Sequence, residues 1–243
     1  MSHILLIAGR EMRAYFRSPL GWVAASAALF IDGVWFIAKA LGDPGAKRLS
    51  ATVLNQFFNG ITGVTMIIAI ALSMRLIAQE EEQGTLVLLK TSPMRDWDLV
   101  LGKFLAVFGM IAIITGLTVY MPALIFVNGK VSVGHIATGY LGVLLLGAAT
   151  ASVGIFASAL AKRQVVAAIL GAVIMGALVL LWLLAKMTEP PVTDFLNGLA
   201  IHHLRQRDFM TGVLRLENVV YYLVVCFFFL LATTKTLEAR RWQ

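Results

Sequence analysis

The sequence predicts an all-α membrane protein of six transmembrane helices, and three observations carry that prediction. Of the 243 residues, 59% are hydrophobic and 14% charged, with a mean hydropathy of +0.85; soluble domains hold about 45–50% apolar and about 25% charged residues. Six apolar stretches have roughly the length of about 20 residues that a helix needs to cross hydrocarbon. The polar residues gather between these stretches, most densely at residues 79–103. The net charge of +7 sits beside the apolar stretches and reads as topology signals facing anionic lipid, not as a nucleic-acid surface. Cys226 is the single cysteine and lies in an apolar run, which excludes an intrachain disulfide or a cysteine metal cluster. One membrane domain over residues 1–243 is the expected organisation, with no room for a second, soluble one.

Residues 1–18 predict an amphipathic helix. On a helical wheel Ile4, Leu5, Ala8, Met12, Tyr15 and Phe16 share one face, and Arg10, Arg13 and Arg17 share the opposite one. That pattern fits a helix lying in the membrane interface with its arginines toward lipid phosphates. Ala38-Lys39-Ala40 imitates a signal-peptide cleavage site, but the apolar run Leu20–Ala38 exceeds the usual h-region of about 7–15 residues, so the segment is expected to be retained.

The spans are predicted at residues 20–41, 60–77, 104–127, 136–161, 165–186 and 219–236. Ser18-Pro19 provides a serine cap with proline at the first helical position, and Asp43-Pro44-Gly45 provides a stop and turn. Six spans put both termini on one side. With that side cytoplasmic, twelve lysines and arginines lie inside and eight outside, the bias the positive-inside rule asks for. Residues 79–103 are then a cytoplasmic loop and 187–218 an extracellular one. The fourth and fifth spans carry small residues four apart, at Gly147/Ala151, Ala148/Ser152, Gly154/Ser158, Ala167/Gly171 and Ala168/Ala172. Such spacing lets helices approach closely in lipid, either within the chain or at a dimer seam. Lys162-Arg163-Gln164 alone separates these spans, so they form an antiparallel hairpin.

Few residues are placed for chemistry. No GxxxxGK[ST] phosphate-binding loop occurs, so any ATP must be bound by another chain. Ser152 and Ser158 lie in a span, whereas His3, His135, His202 and His203 lie outside the spans, against an intramembrane serine protease. Adjacent histidines such as His202-His203 diverge by about 100° on a helix and rarely chelate one ion. Asp32 stands inside the first span, where an ionisable group is costly unless it faces protein or water. It reads either as polar lining or a subunit contact on a translocation route, or as an aspartate reaching for the interface beside Trp35. Lys39 is seven residues on, two turns along the same face.

The loop at 79–103 has internal punctuation. Gly84 breaks the helix continuing from the second span, and Thr85 can cap a short helix through Lys90. Ser92-Pro93 can cap another that runs through Trp97 and Leu101 into the third span. Leu86 and Leu89 would share an apolar side, leaving Glu80, Glu81, Glu82 and Arg95 for contact or solvent. The product is a projecting helix–turn–helix lever; the alternative is a plain solvated loop.

Here the chain resembles the permease subunits of ABC-2-type ABC transporters, in the branch similar to the gliding-motility GldF permeases. The family pattern, Glu-Glu-x-x-x-Gly-Thr-Leu-Glu-x-Leu-x-x-x-Pro, is matched at Glu80, Gly84, Thr85, Leu86 and Pro93. Gln79 and Val87 replace its first and later glutamates, and Glu81-Glu82 stand where basic residues are common. The tail, from His203 through Phe209, Gly212 and Glu217–Tyr222 to Leu237–Trp242, resembles the same branch. The resemblance implies a coupling helix in the Glu80–Pro93 region, with Glu80, Glu81, Gly84, Thr85, Leu86, Leu89, Pro93 and Arg95 facing a cytoplasmic ATP-binding subunit that holds ATP and Mg2+. It also implies a second permease as a homodimer or heterodimer partner, a helical element at Ala200–Leu216, and a place in the bacterial inner membrane. The expected function is the non-catalytic membrane subunit of an ATP-driven exporter. A membrane anchor or signalling subunit without transport would need the same loop. A stand-alone secondary transporter would favour paired intramembrane charges or broken helices in matching halves, and no internal repeat is present.

Overall fold

Every regular element is helical in a computed structural model that describes residues 3–40, 50–85, 95–128 and 132–240. The Asp43–Gly45 turn lies outside the described residues, as do Leu86, Leu89, Pro93 and the capped helices expected around them. The helices in order are α1 His3–Arg17, α2 Pro19–Trp35, α3 Ser50–Ser73, α4 Arg75–Glu82, α5 Asp96–Leu117, α6 Tyr120–Asn128, α7 Val133–Leu160, α8 Gln164–Ala185, α9 Val192–Leu199, α10 His203–Met210 and α11 Leu216–Ala239. A π-helical turn, Phe36–Ala40, prolongs α2.

Among the described residues six stretches are long and apolar enough to span a membrane: Pro19–Lys39, Ser50–Glu82, Asp96–Val127, Val133–Leu160, Gln164–Ala185 and Leu216–Ala239. The second extends well past residues 60–77. Its 33 residues at 1.5 Å each reach about 50 Å, against about 30 Å of hydrocarbon, so it projects beyond the bilayer. The third is not one helix. It breaks at Thr118-Val119, because the Pro122 ring has no N–H to donate and crowds the carbonyl of Thr118 four residues earlier. Thr118 Oγ1 is held by the Thr115 carbonyl at 2.7 Å and the Tyr140 hydroxyl at 3.0 Å.

The fourth span, α7, is the axis of the bundle: 78% of its most apolar residues are buried, against 17% in the fifth span. Gly147, Ala148, Ala151, Ser152, Gly154 and Ser158 are all buried, so the small residues of α7 serve contacts within the chain. α8 packs antiparallel on α7 but leaves Val165, Ile169, Val173 and Leu180 exposed. At one end of the bundle α10 folds onto α7 and α3, burying Gln206, Phe209 and Met210. α10 falls within Ala200–Leu216, where one helical element is expected, and α9 precedes it as a further short helix. At the other end α1 lies along α5, beside α4 and the last turn of α11.

Candidate functional site

At that second end the break between α3 and α4 organises the residues. Ser73 Oγ bonds back to the carbonyls of Ala69 and Ile70 at 2.6 and 3.1 Å, a local competition that bends helices. Ser158 of α7 then inserts its hydroxyl into the ladder. It donates to the Met74 carbonyl at 2.8 Å and accepts from the backbone N–H of Ile77 at 3.1 Å and of Ala78 at 2.9 Å. One proton and two lone pairs are thereby all used, and an inserted side chain of this kind is a recognised cause of a kink. The Leu72 carbonyl accepts from the buried Tyr15 hydroxyl at 2.7 Å. Arg75, the first residue of α4, lies over the Tyr15 ring at 4.2 Å and donates to Ser18 Oγ at 3.2 Å. Ser18 thus serves this joint, and its side chain does not cap α2.

Below the joint sits Lys103, which is fully buried. Its ammonium donates to the Leu76 carbonyl at 2.6 Å, Glu80 Oε1 at 2.8 Å and Glu11 Oε1 at 3.2 Å. Three donors meet three acceptors on α1 and α4. Arg10 adds contacts to Glu11 at 2.8 Å and Glu80 at 3.4 Å, so two cations face two carboxylates and the cluster is neutral, the condition for burying charge. Burial pushes the Glu11 carboxyl up, but the charge of Lys103 and the hydrogen bond from Arg10 outweigh it and hold it below the ordinary range. The hydrogen bond to Glu11 raises Arg10. α1 reaches this position because α5 carries Gly102, where a Cβ would come within 2.7 Å of Ile7 Cβ.

Beyond Glu80 the helix stops in a Schellman turn. Gly84 N–H bonds the Glu81 carbonyl at 3.1 Å and Thr85 N–H bonds the Glu80 carbonyl at 2.9 Å. Gly84 has φ +68°, the left-handed conformation that favours glycine at this position. Glu82, Gln83, Gly84 and Thr85 are exposed, and the turn ends the described part of the projection. An open cleft of about 550 Å³ lies behind it, lined by Arg10, Glu11, Arg75, Gln79, Glu80 and Thr85 among others. The last described turn of α11 closes the far side: Arg240 reaches Glu81 Oε2 at 3.5 Å and the Leu160 carbonyl at 3.1 Å. On the return, Arg95 is exposed and N-caps α5 in extended conformation. The described helix starts at Asp96, with Asp96 and Asp98 complementing its N-terminal dipole.

A family model described as "ABC-2 family transporter protein" matches residues 5–234. The chain belongs to the ABC-2 family of transporter proteins. It is a multi-pass membrane protein of the ABC-2 permease type. It is similar to the probable ABC transporter permease protein NosY of Pseudomonas aeruginosa, at 36% identity over 109 residues. That match covers 43% of this chain and 38% of the relative, so the chain spans about two-fifths of the curated relative it matches.

In this ABC-2 permease the residues singled out from sequence divide into groups. Gly84 and Thr85 form the exposed turn that ends α4, and Arg95 is exposed just before α5. Glu80 instead turns inward to Lys103, and Glu81 is engaged by Arg240. Arg10 is drawn into the same cluster, while Arg13 and Arg17 are exposed as an interfacial helix requires. The protein-facing stripe of α1 runs through Ile4, Ile7, Ala8, Glu11, Met12 and Tyr15, whereas Leu5 and Phe16 are exposed. Asp32 does not reach the interface: it is 3% exposed and faces α3 and α5. Lys39 lies over the Trp35 ring at 5.7 Å. His202 approaches Thr62 Oγ1 at 3.3 Å while His203 stacks on Trp182 at 4.0 Å; burial, with a contribution from His203, lowers the His202 imidazole.

Glu11, Lys103 and Ser158 were not singled out for this cluster from sequence. Glu11 had a legible signal, a carboxylate on the apolar face of an amphipathic helix. Lys103 resembled a topology charge at the mouth of a span. Nothing local marks Ser158, which meets Met74 from 84 residues away.

Proposed function

We propose that this permease is the non-catalytic membrane half of an exporter, receiving ATP-driven motion from a separate cytoplasmic ATP-binding subunit through the α4 turn. The ATP and Mg2+ belong to that subunit. Two permeases, identical or not, form the membrane unit in the bacterial inner membrane, with both termini cytoplasmic. The observation that carries this reading is the Lys103 tripod. It ties the projecting α4 to α1 and to the start of α5, so a push on the Gln83–Thr85 turn is passed to several helices together. Coupling requires that the partner's contacts with the turn differ between two membrane conformations. The Leu86–Pro93 segment and Arg95 complete the docking surface in this reading.

The test uses the permease co-expressed with its ATP-binding subunit and reconstituted in liposomes. Thr85→Cys, in a Cys226→Ser background, should crosslink to the partner subunit in a nucleotide-dependent way. Lys103→Met with Glu80→Gln should keep the complex assembled while lowering transport-linked ATP hydrolysis. Unchanged hydrolysis in a complex that still assembles would remove the lever assignment.

A further inference from the structure

Asp32 goes beyond the coupling reading and stands without it. Its carboxyl lies in the first span with Oδ1 buried and without a hydrogen-bond partner. It borders a cavity of about 10 Å³ between α2, α3 and α5. That volume is about what one water-sized occupant requires. Two more oxygen-bearing side chains line it from the other two helices, Thr65 of α3 and Thr115 of α5, 6% and 3% exposed. The rest of the lining is aliphatic, including Ile61, Ile68 and Ile114.

A carboxyl adds nothing to such packing that an aliphatic side chain would not add at lower cost in lipid. The lysines of the first and third spans are committed elsewhere. Lys39 lies over Trp35, and Lys103 is held by Glu11 and Glu80 at the far end of the spans. From α7, Tyr140 interacts electrostatically with Asp32 while its hydroxyl bonds Thr118. What this arrangement lacks is one positive charge of small radius. A single carboxylate with neutral oxygens suits a monovalent ion, whereas Mg2+ retains several waters for which the cavity has no room.

We propose that Asp32, with Thr65 and Thr115, forms an intramembrane site for a monovalent cation, a proton or a sodium ion, at the seam of the first three spans. Occupation neutralises the carboxylate and holds α2 against α3 and α5; loss of the cation loosens that seam.

The test follows thermal melting of the purified permease in detergent, with sodium exchanged for choline at constant ionic strength and at acid and alkaline pH. Wild type should melt higher with sodium, or with pH falling alone through the range where Glu11 stays ionised, above about 4.5. Asp32→Asn should lose that response. A sodium site predicts that Thr65→Val and Thr115→Val weaken the sodium dependence several-fold; a proton site predicts that they leave the pH response intact. A second measurement needs only the wild type: an apolar carbodiimide should label Asp32, read by mass spectrometry, and sodium or rising pH should slow it several-fold. A wild type indifferent to both cations in melting and labelling overturns the proposal. So does an Asp32→Asn protein that keeps the full response.

Discussion

Lys103 Nζ lies 2.8 Å from Glu80 Oε1 across 23 residues of sequence. The pair joins the base of the third span to the projecting end of the second. Because Lys103 is buried and also holds Glu11, each partner depends on the others for its charge balance.

Lys103→Met leaves Glu11 and Glu80 close together with only the exposed Arg10 as a cation. Breaking a buried pair from one side costs about 3–5 kcal/mol, so the melting temperature of the purified permease should fall steeply. Adding Glu11→Gln and Glu80→Gln to that variant should restore most of the loss. A single variant as stable as wild type would mean the tripod is incidental.

Ser158→Ala removes the hydroxyl that serves Met74, Ile77 and Ala78. Leaving a buried backbone group unpaired costs about 1–3 kcal/mol. The expected result is a destabilisation of that order, with faster hydrogen exchange at Ile77 and Ala78. If their exchange is unchanged, the ladder closes without the serine and the kink has another origin.

Gly84→Ala places a Cβ on a residue at φ +68°. The expected cost is about 1 kcal/mol, confined to the turn. Amide exchange at Gly84 and Thr85 should accelerate while the α7 core stays protected. Equal protection of the turn in both proteins would count against the Schellman assignment.

The pH dependence follows from Glu11. Its carboxyl is held below its ordinary value of 4.5 in the folded protein, so its ionised form favours folding. That contribution is complete above the ordinary value and is lost as pH falls toward the lower, folded value. Thermal stability should therefore drop on acidification below about 4.5, and Glu11→Gln should show a shallower acid limb. An identical acid limb in both proteins would assign the titration to other carboxylates.

Much of the architecture was legible locally. Apolar run lengths located six spans, and Gly84 marked the helix stop. Pro122 was equally visible, yet the third span was read as continuous, because its hydrophobicity continues through the break. The α3–α4 kink was hidden for a different reason: Ser73, Met74 and Arg75 contain no proline or glycine, and the group that bends the helix comes from α7.

The candidate site followed the same division. The sequence placed a polar projection after the second span and tied it to an ATP-binding partner by resemblance. It gave Glu80, Glu81 and Arg10 an outward role, since charged residues in a loop or on a polar helix face are normally solvated. The fold turned the two glutamates toward Lys103 and Arg240 and drew Arg10 onto Glu11.

The sequence by itself determined that this is a six-span helical membrane protein with its polar apparatus between spans, because burial in lipid depends on run length and composition, which are local. Only the tertiary structure decided which polar groups neutralise one another. The partners of Lys103, Ser158 and Tyr15 are distant in sequence, and pairing in a low-dielectric interior is set by distances of about 3 Å that exist only once the helices have packed.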